Sequence, residues 1–185
     1  MLLFWELWPN GLPPDYCDRL IERALELPAE EGTLGVERKG MSDVRRSTLR
    51  WLDVDGQDNA IANDIMFFAK KANRQSFGFD IVGVEAAQFT EYHATQSGKF
   101  DWHQDVLSGS VAPYDRKLSF VAQLSEPTDY EGGNFEFFNI KNPGPELRNR
   151  GAVLVFPSFL QHRVTPVTAG VRRSLVSWIE GPKFR

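Results

Sequence analysis

His103 and Asp105 stand two apart in WHQD. In a strand, residues i and i+2 point to the same face, so this pair can present an imidazole and a carboxylate to one ion while Gln104 turns away. A third donor, His162, follows in PSFLQHRVTP, just past the apolar run GAVLVF. Two imidazoles and one carboxylate hold a divalent transition metal on one side and leave its other positions open. An isolated H-x-D is common by chance, and a lone histidine usually packs or faces solvent, so the triad needs support. Arg172 supplies it. It lies ten residues past His162, across a turn set by Pro166 and Gly170, a distance that lets the chain leave the ion, reverse and return on a neighbouring strand. A guanidinium there can grip a carboxylate in bidentate fashion. That suits a 2-oxo acid whose other end chelates the ion.

The elements that must position these groups change character near Gly78. Before it, LLFWELW reads as a strand. Pro13-Pro14-Asp15 starts a helix through DYCDRLIERALEL, with apolar residues at Leu20, Ile21, Ala24 and Leu27, ended by Pro28 and Gly32. Residues 33–43 are loop-like, and SDVRRSTLRWLDV is an arginine-rich strand region. Ile61, Ile65, Phe68 and Ala72 predict a second amphipathic helix over 59–75. After Gly78, strand-like runs dominate: DIVGVEAAQFTEYH, KFDWHQD, KLSFVAQLS, GNFEFFNI, GAVLVFPS, HRVTPV and RRSLVSWIEG. Two helices followed by seven or more strands read as α+β, a sandwich or rolled barrel with the helices against one sheet. No repeat or linker divides the chain, so residues 1–185 are expected to form one domain.

Composition narrows the partners. The net charge is −4, which offers no broad basic field for a phosphate backbone and disfavours nucleic acid. Cys17 is the only cysteine, so an intramolecular disulfide is impossible. The N-terminal stretch carries Glu6 and lacks a basic region, unlike a signal peptide, and no apolar run is long enough to span a bilayer. A soluble, cytoplasmic protein without a membrane partner is the expectation; nothing indicates its oligomeric state.

Taken in order, these motifs resemble those of the prolyl 4-hydroxylase-type 2-oxoglutarate/Fe(II) dioxygenases, particularly short microbial and phage-encoded members. His103, Asp105 and His162 match the family's H-x-D and distal histidine, and Arg172 matches the basic residue that binds the 2-oxoglutarate C5 carboxylate. Tyr92 matches the tyrosine before H-x-D. Tyr130, Gly132 and Gly133 match a Y-x-GG turn, and Arg45, Ser47 and Trp51 match an R-x-S-x-x-x-W stretch. The collagen-type enzymes carry lysine where this chain has Arg172. The resemblance implies a double-stranded β-helix, or jelly roll, with the N-terminal helices packed on one sheet. It implies Fe(II), with 2-oxoglutarate and O2 as co-substrates and ascorbate as an auxiliary. It also implies hydroxylation of a prolyl residue in a peptide or protein, with hydroxylation of a free amino acid or small molecule as the alternative. A nucleic-acid demethylase on the same scaffold would carry a further arginine where this chain has Trp178. A non-catalytic metal-binding jelly roll would not need Arg172, and a hydrolytic zinc enzyme would need a general base that does not stand out.

Around the triad, Arg172 is expected to face the cofactor and Arg173 the solvent, since alternation separates them. Tyr92, Gln123 and Ser174 are cofactor candidates: a hydroxyl, a central-strand amide and a hydroxyl on Arg172's face. Arg45, Trp51 and Tyr114 are substrate candidates beside two irregular stretches, 35–51 and 106–117, that could form a groove or lid. Trp102, Trp178 and Phe156 read as core.

Overall fold

The computed structural model describes residues 4–32, 43–106 and 112–184. Strand β1 (Glu6–Trp8) leads into helix α1 (Pro14–Leu25). Pro14 occupies the first helical turn, where its missing N–H has no partner to lose. Cys17, Leu20 and Ala24 form the buried stripe of α1. The short β2 (Glu30–Glu31) and β3 (Arg45–Arg46) precede β4 (Thr48–Leu52). Helix α2 (Asn59–Ala72) buries Ile65, Phe68, Ala69 and Ala72 and continues into a π-helical turn that ends at Gly78, whose φ of 68° suits a residue without a Cβ. Then come β5 (Gly83–His93), β6 (Lys99–His103), β7 (Tyr114–Gln123), β8 (Tyr130–Gly132), β9 (Phe135–Phe137), β10 (Val153–Pro157), β11 (His162–Val164) and β12 (Val167–Pro182).

Two sheets face each other. The major sheet runs β1-β10-β7-β12-β5-β4-β2, with β8 also paired to β12; the minor sheet runs β3-β6-β11-β9. All recorded pairings are antiparallel. Both helices pack on the outer face of the major sheet, where Leu20, Ile65 and Phe68 join Phe89, Phe120, Val155 and Leu175 in one apolar cluster. This is the expected jelly roll with helices against one sheet. No helix among the described residues is long and apolar enough to cross a membrane.

Two expectations are corrected. The arginine-rich run is not one strand: it changes sheets at Ser47, so Arg45 pairs with Phe100 in the minor sheet while Thr48–Leu52 pairs with β5 in the major one. Nor does the chain return beside β11 after His162. It crosses to the opposite sheet, and β12 is continuous through Gly170, which kinks it instead of ending it. Gly170 has φ 68°, and a Cβ there would strike the Asp129 carbonyl oxygen.

Candidate active site

Three donors converge because β6 ends where β11 begins: His103 and His162 are direct cross-strand partners. Asp105 lies just past β6, held by its backbone N–H donating to the Ser158 carbonyl at 2.9 Å. Its Oδ1 is 3.7 Å from Nε2 of His103 and its Oδ2 3.6 Å from Nε2 of His162. All three ligand atoms lie within 4.8 Å of one another, a spacing that one ion could bridge.

The supporting contacts aim these atoms. Nδ1 of His103 is 2.7 Å from the Asp101 carbonyl oxygen, and Nδ1 of His162 is 2.9 Å from that of Leu160. A carbonyl only accepts, so each Nδ1 carries the proton and each Nε2 lone pair points inward. The Ser119 hydroxyl donates to Asp105 Oδ2 at 2.6 Å and stands 3.0 Å from the Ser158 hydroxyl. Phe100 stacks on His103 with ring centroids 3.5 Å apart, while Phe135 and Phe156 flank His162. Burial, reinforced by electrostatic repulsion from neighbouring His162, pushes the His103 pKa down to about 4, so the ring is neutral and ready to ligate. Burial works against ionisation of Asp105, but His162, His103 and Ser119 outweigh it and hold the carboxyl below its usual range.

A cavity opens at the triad and runs between the sheets. β12 lines it with every second residue, Arg172, Ser174, Val176 and Trp178; β5 adds Gln88 and Tyr92, and Arg45 reaches in from β3. Arg172 is 3% exposed, yet among the described residues its Nη1 has no hydrogen-bond partner, and the buried Ser174 hydroxyl also has none. Two unsatisfied donors two residues apart on one strand are costly unless a ligand takes them. The arrangement can therefore hold a cation at one end and a carboxylate at the other. Tyr92 lies beneath the Arg172 guanidinium, 5.6 Å from its ring centroid.

The remaining sequence candidates divide. Arg45 lines the cavity. Gln123 instead faces a neighbouring cavity that shares Arg172, and its amide donates to the Tyr130 hydroxyl at 3.0 Å. Trp51 is 42% exposed; it pairs with Gln88 and contacts Trp178, so it shares the cavity's face of the sheet without lining the cavity, and Tyr114, 38% exposed at the start of β7, does not line it either. Much of the stretches 35–51 and 106–117 lies outside the described residues. Arg173 does point away from Arg172, but it is not simply solvated: its Nε donates to the buried Glu91 at 3.0 Å, beside Arg50 on the same carboxylate. Two lining residues with side-chain hydrogen-bonding groups were not among the sequence candidates. Gln88 looked like one polar residue in a strand. Trp178 read as core, and it is buried, but it borders the cavity with an unpartnered indole N–H. Their alternation with Tyr92 and with Arg172, respectively, was the signal available.

Comparison with known proteins supplies the family. Residues 87–180 match the family model described as 2OG-Fe(II) oxygenase superfamily. The chain belongs to that superfamily. It is therefore a 2-oxoglutarate-dependent non-haem iron dioxygenase, whose cofactor is Fe(II) and whose co-substrates are 2-oxoglutarate and O2. A PKHD-type hydroxylase of Synechococcus sp. (strain CC9311) is 29% identical over 167 residues, covering 89% of this chain and 72% of that protein. Matches to two further Synechococcus proteins of the same description cover only 28% of their length. Among solved structures, a Pseudomonas putida prolyl-4-hydroxylase superposes with a TM-score of 0.70 at 22% identity, covering 97% of this chain and 94% of that one. A Trichoplax adhaerens prolyl hydroxylase in complex with a hypoxia inducible factor peptide fragment reaches 0.74 at 16%, covering 95% and 83%. Both share the jelly-roll fold.

Proposed function

We propose that the chain hydroxylates prolyl residues in a peptide or protein, with His103, Asp105 and His162 binding the iron and Arg172, Ser174 and Tyr92 holding the far carboxylate of 2-oxoglutarate. The observation that carries the assignment of roles is the pairing of a three-donor cluster at one end of the cavity with unsatisfied Arg172 and Ser174 donors at the other. The donor set fits Fe(II), because two imidazoles and one carboxylate on one side of the ion leave its other positions open. When bound, the metal and its co-substrates supply the oxidising chemistry, coupled to decarboxylation of 2-oxoglutarate to succinate.

The chain's own residues do the positioning. Asp101 and Leu160 orient the two imidazoles through their carbonyls, and Ser119 holds Asp105 in one rotamer. Arg172 offers a charge-assisted bond that sets the depth and direction of the co-substrate. Phe100, Val121, Phe135 and Val164 make the intervening walls apolar, which strengthens these electrostatic contacts by keeping water out. A prolyl substrate is supported by the relatives described as prolyl hydroxylases, one of them solved with a peptide.

The test is a succinate-release screen with proline-rich peptides, free amino acids and oligonucleotides, followed by amino-acid analysis of the products. Hydroxyproline in a stimulating peptide is the expected result. If only a free amino acid stimulates, the enzyme is a small-molecule hydroxylase.

A further inference from the structure

Arg45 is a buried cation that makes no salt bridge among the described residues, and the anion that acts on it is the metal-site carboxylate Asp105. It is 8% exposed and lines the same cavity as the three donors and Arg172. Its one side-chain hydrogen bond there runs from Nε to the Ser47 hydroxyl at 2.9 Å. The guanidinium lies over Phe100, 4.5 Å from the ring centroid, and Phe100 in turn stacks on His103. Gly32 backs the group so closely that a Cβ there would come within 2.9 Å of Nε. Ring, hydroxyl and backbone thus hold Arg45 in one direction, while among the described residues no carboxylate lies in contact with it.

A charge count makes the omission meaningful. Among the described residues, the charged side chains lining the cavity are Arg45, Asp105 and Arg172. Divalent iron and dianionic 2-oxoglutarate cancel one another, and Asp105, which the iron also shares, offsets only one of the two arginines. With Arg172 taken by the co-substrate, one positive charge remains at the Arg45 end. The co-substrate has only two carboxylates, one for the metal and one for Arg172 with Ser174. A buried, oriented guanidinium left over in a loaded site calls for an anion from outside.

We propose that the primary substrate brings a carboxylate to Arg45, so that the enzyme selects prolyl substrates carrying an acidic side chain or a free chain-terminal carboxylate close to the hydroxylated residue. This rests on the prolyl reading above and narrows it. Arg45 acts as a specificity-determining residue. The Ser47 bond and the Phe100 stack pre-organise it, so little ordering accompanies binding.

The experiment measures binding apart from turnover. The full chain is loaded with Mn(II) and 2-oxoglutarate without O2 and titrated calorimetrically with matched pairs: an Asp-Pro peptide against its Asn-Pro isostere, a peptide ending in a free carboxylate against its amide, and free proline against prolinamide. In at least one pair the carboxylate member should bind about tenfold tighter or more, as expected of a charge-assisted bidentate contact. The pair that responds identifies the source of the carboxylate. Arg45→Gln should bring the two members within about threefold and leave 2-oxoglutarate affinity unchanged, and Arg45→Lys should retain part of the preference. The proposal is overturned if no pair discriminates in the wild type, a comparison that needs no variant to fold. It is equally overturned if the preference survives Arg45→Gln, or if that variant loses 2-oxoglutarate instead. Discrimination confined to free proline would leave the Arg45 assignment standing and remove the peptide reading. Hydroxylation of neutral peptides without discrimination would do the reverse.

Discussion

The two faces of the major sheet use the same strands for opposite purposes. Outward, Phe89, Leu118, Phe120, Ala122, Leu175 and Ile179 meet the helices in an apolar layer. Inward, the alternate positions carry Gln88, Ser119, Arg172, Ser174 and Trp178, polar groups buried as deeply as their apolar neighbours. The outer face stabilises without needing a partner, because dispersion and hydrophobic burial are non-directional. The inner face is costly until ligands satisfy its donors. Stability and chemistry therefore sit one residue apart, and a one-residue slip in register would exchange them.

The comparison breaks most visibly at the ions the inner face holds. Asp105→Ala should abolish turnover and drive metal affinity below detection in a calorimetric titration, since two neutral imidazoles remain without a charge to neutralise the ion. Wild-type metal affinity in that variant would overturn the metal assignment. On the outer face, Phe120 is 1% exposed in the helix-facing cluster, and Phe120→Ala should cost about 3–5 kcal/mol in denaturant unfolding. Its metal affinity should stay within about threefold of wild type; a joint loss would mean the faces are not separable.

The pH dependence sharpens the same contrast. Burial and the neighbouring His162 hold His103 at about 4 in the folded chain, below its ordinary value of 6.5. The unfolded chain therefore takes up this proton first. Apo-protein stability is fully present above about pH 7, falls as pH drops through the window from 6.5 to 4, and levels off below it, with a full loss on the order of 3 kcal/mol. Thermal melts in chelator across this range should show the slope, and His103→Gln should flatten it.

Smaller effects test the register directly. Arg172→Ala should raise the 2-oxoglutarate dissociation constant by well over tenfold, from the loss of roughly 1.5–3 kcal/mol of charge-assisted bonding. Arg173→Ala removes one of the two partners of the buried Glu91 on the outer side, at a cost of roughly 1–3 kcal/mol in stability and no change in 2-oxoglutarate binding. Reversal of this pair would place the strand one residue out of register.

Much of this architecture was legible in the chain itself. The period-2 runs after Gly78 and the two stripes before it dictate helices on a sheet pair, because burial selects those periodicities. The order H-x-D, distal histidine, arginine is similarly local, and i, i+2 spacing on a strand places His103 with Asp105 and Arg172 with Ser174. Other features depended on which elements meet. Arg45 enters the cavity because the chain changes sheets at Ser47, an event no periodicity announces. Gln123, on a strand that reads as inward, faces the neighbouring cavity and bonds Tyr130, while Gln88 faces the site itself. Trp178 looked like core because indoles usually are. That its N–H lacks a partner is visible only when every donor around it has been placed. Strand alternation reports which residues share a face, since that is a property of one backbone. What the face looks onto depends on contacts between segments far apart in sequence, and for Arg45, Gln88, Gln123 and Trp178 only the folded barrel supplied them.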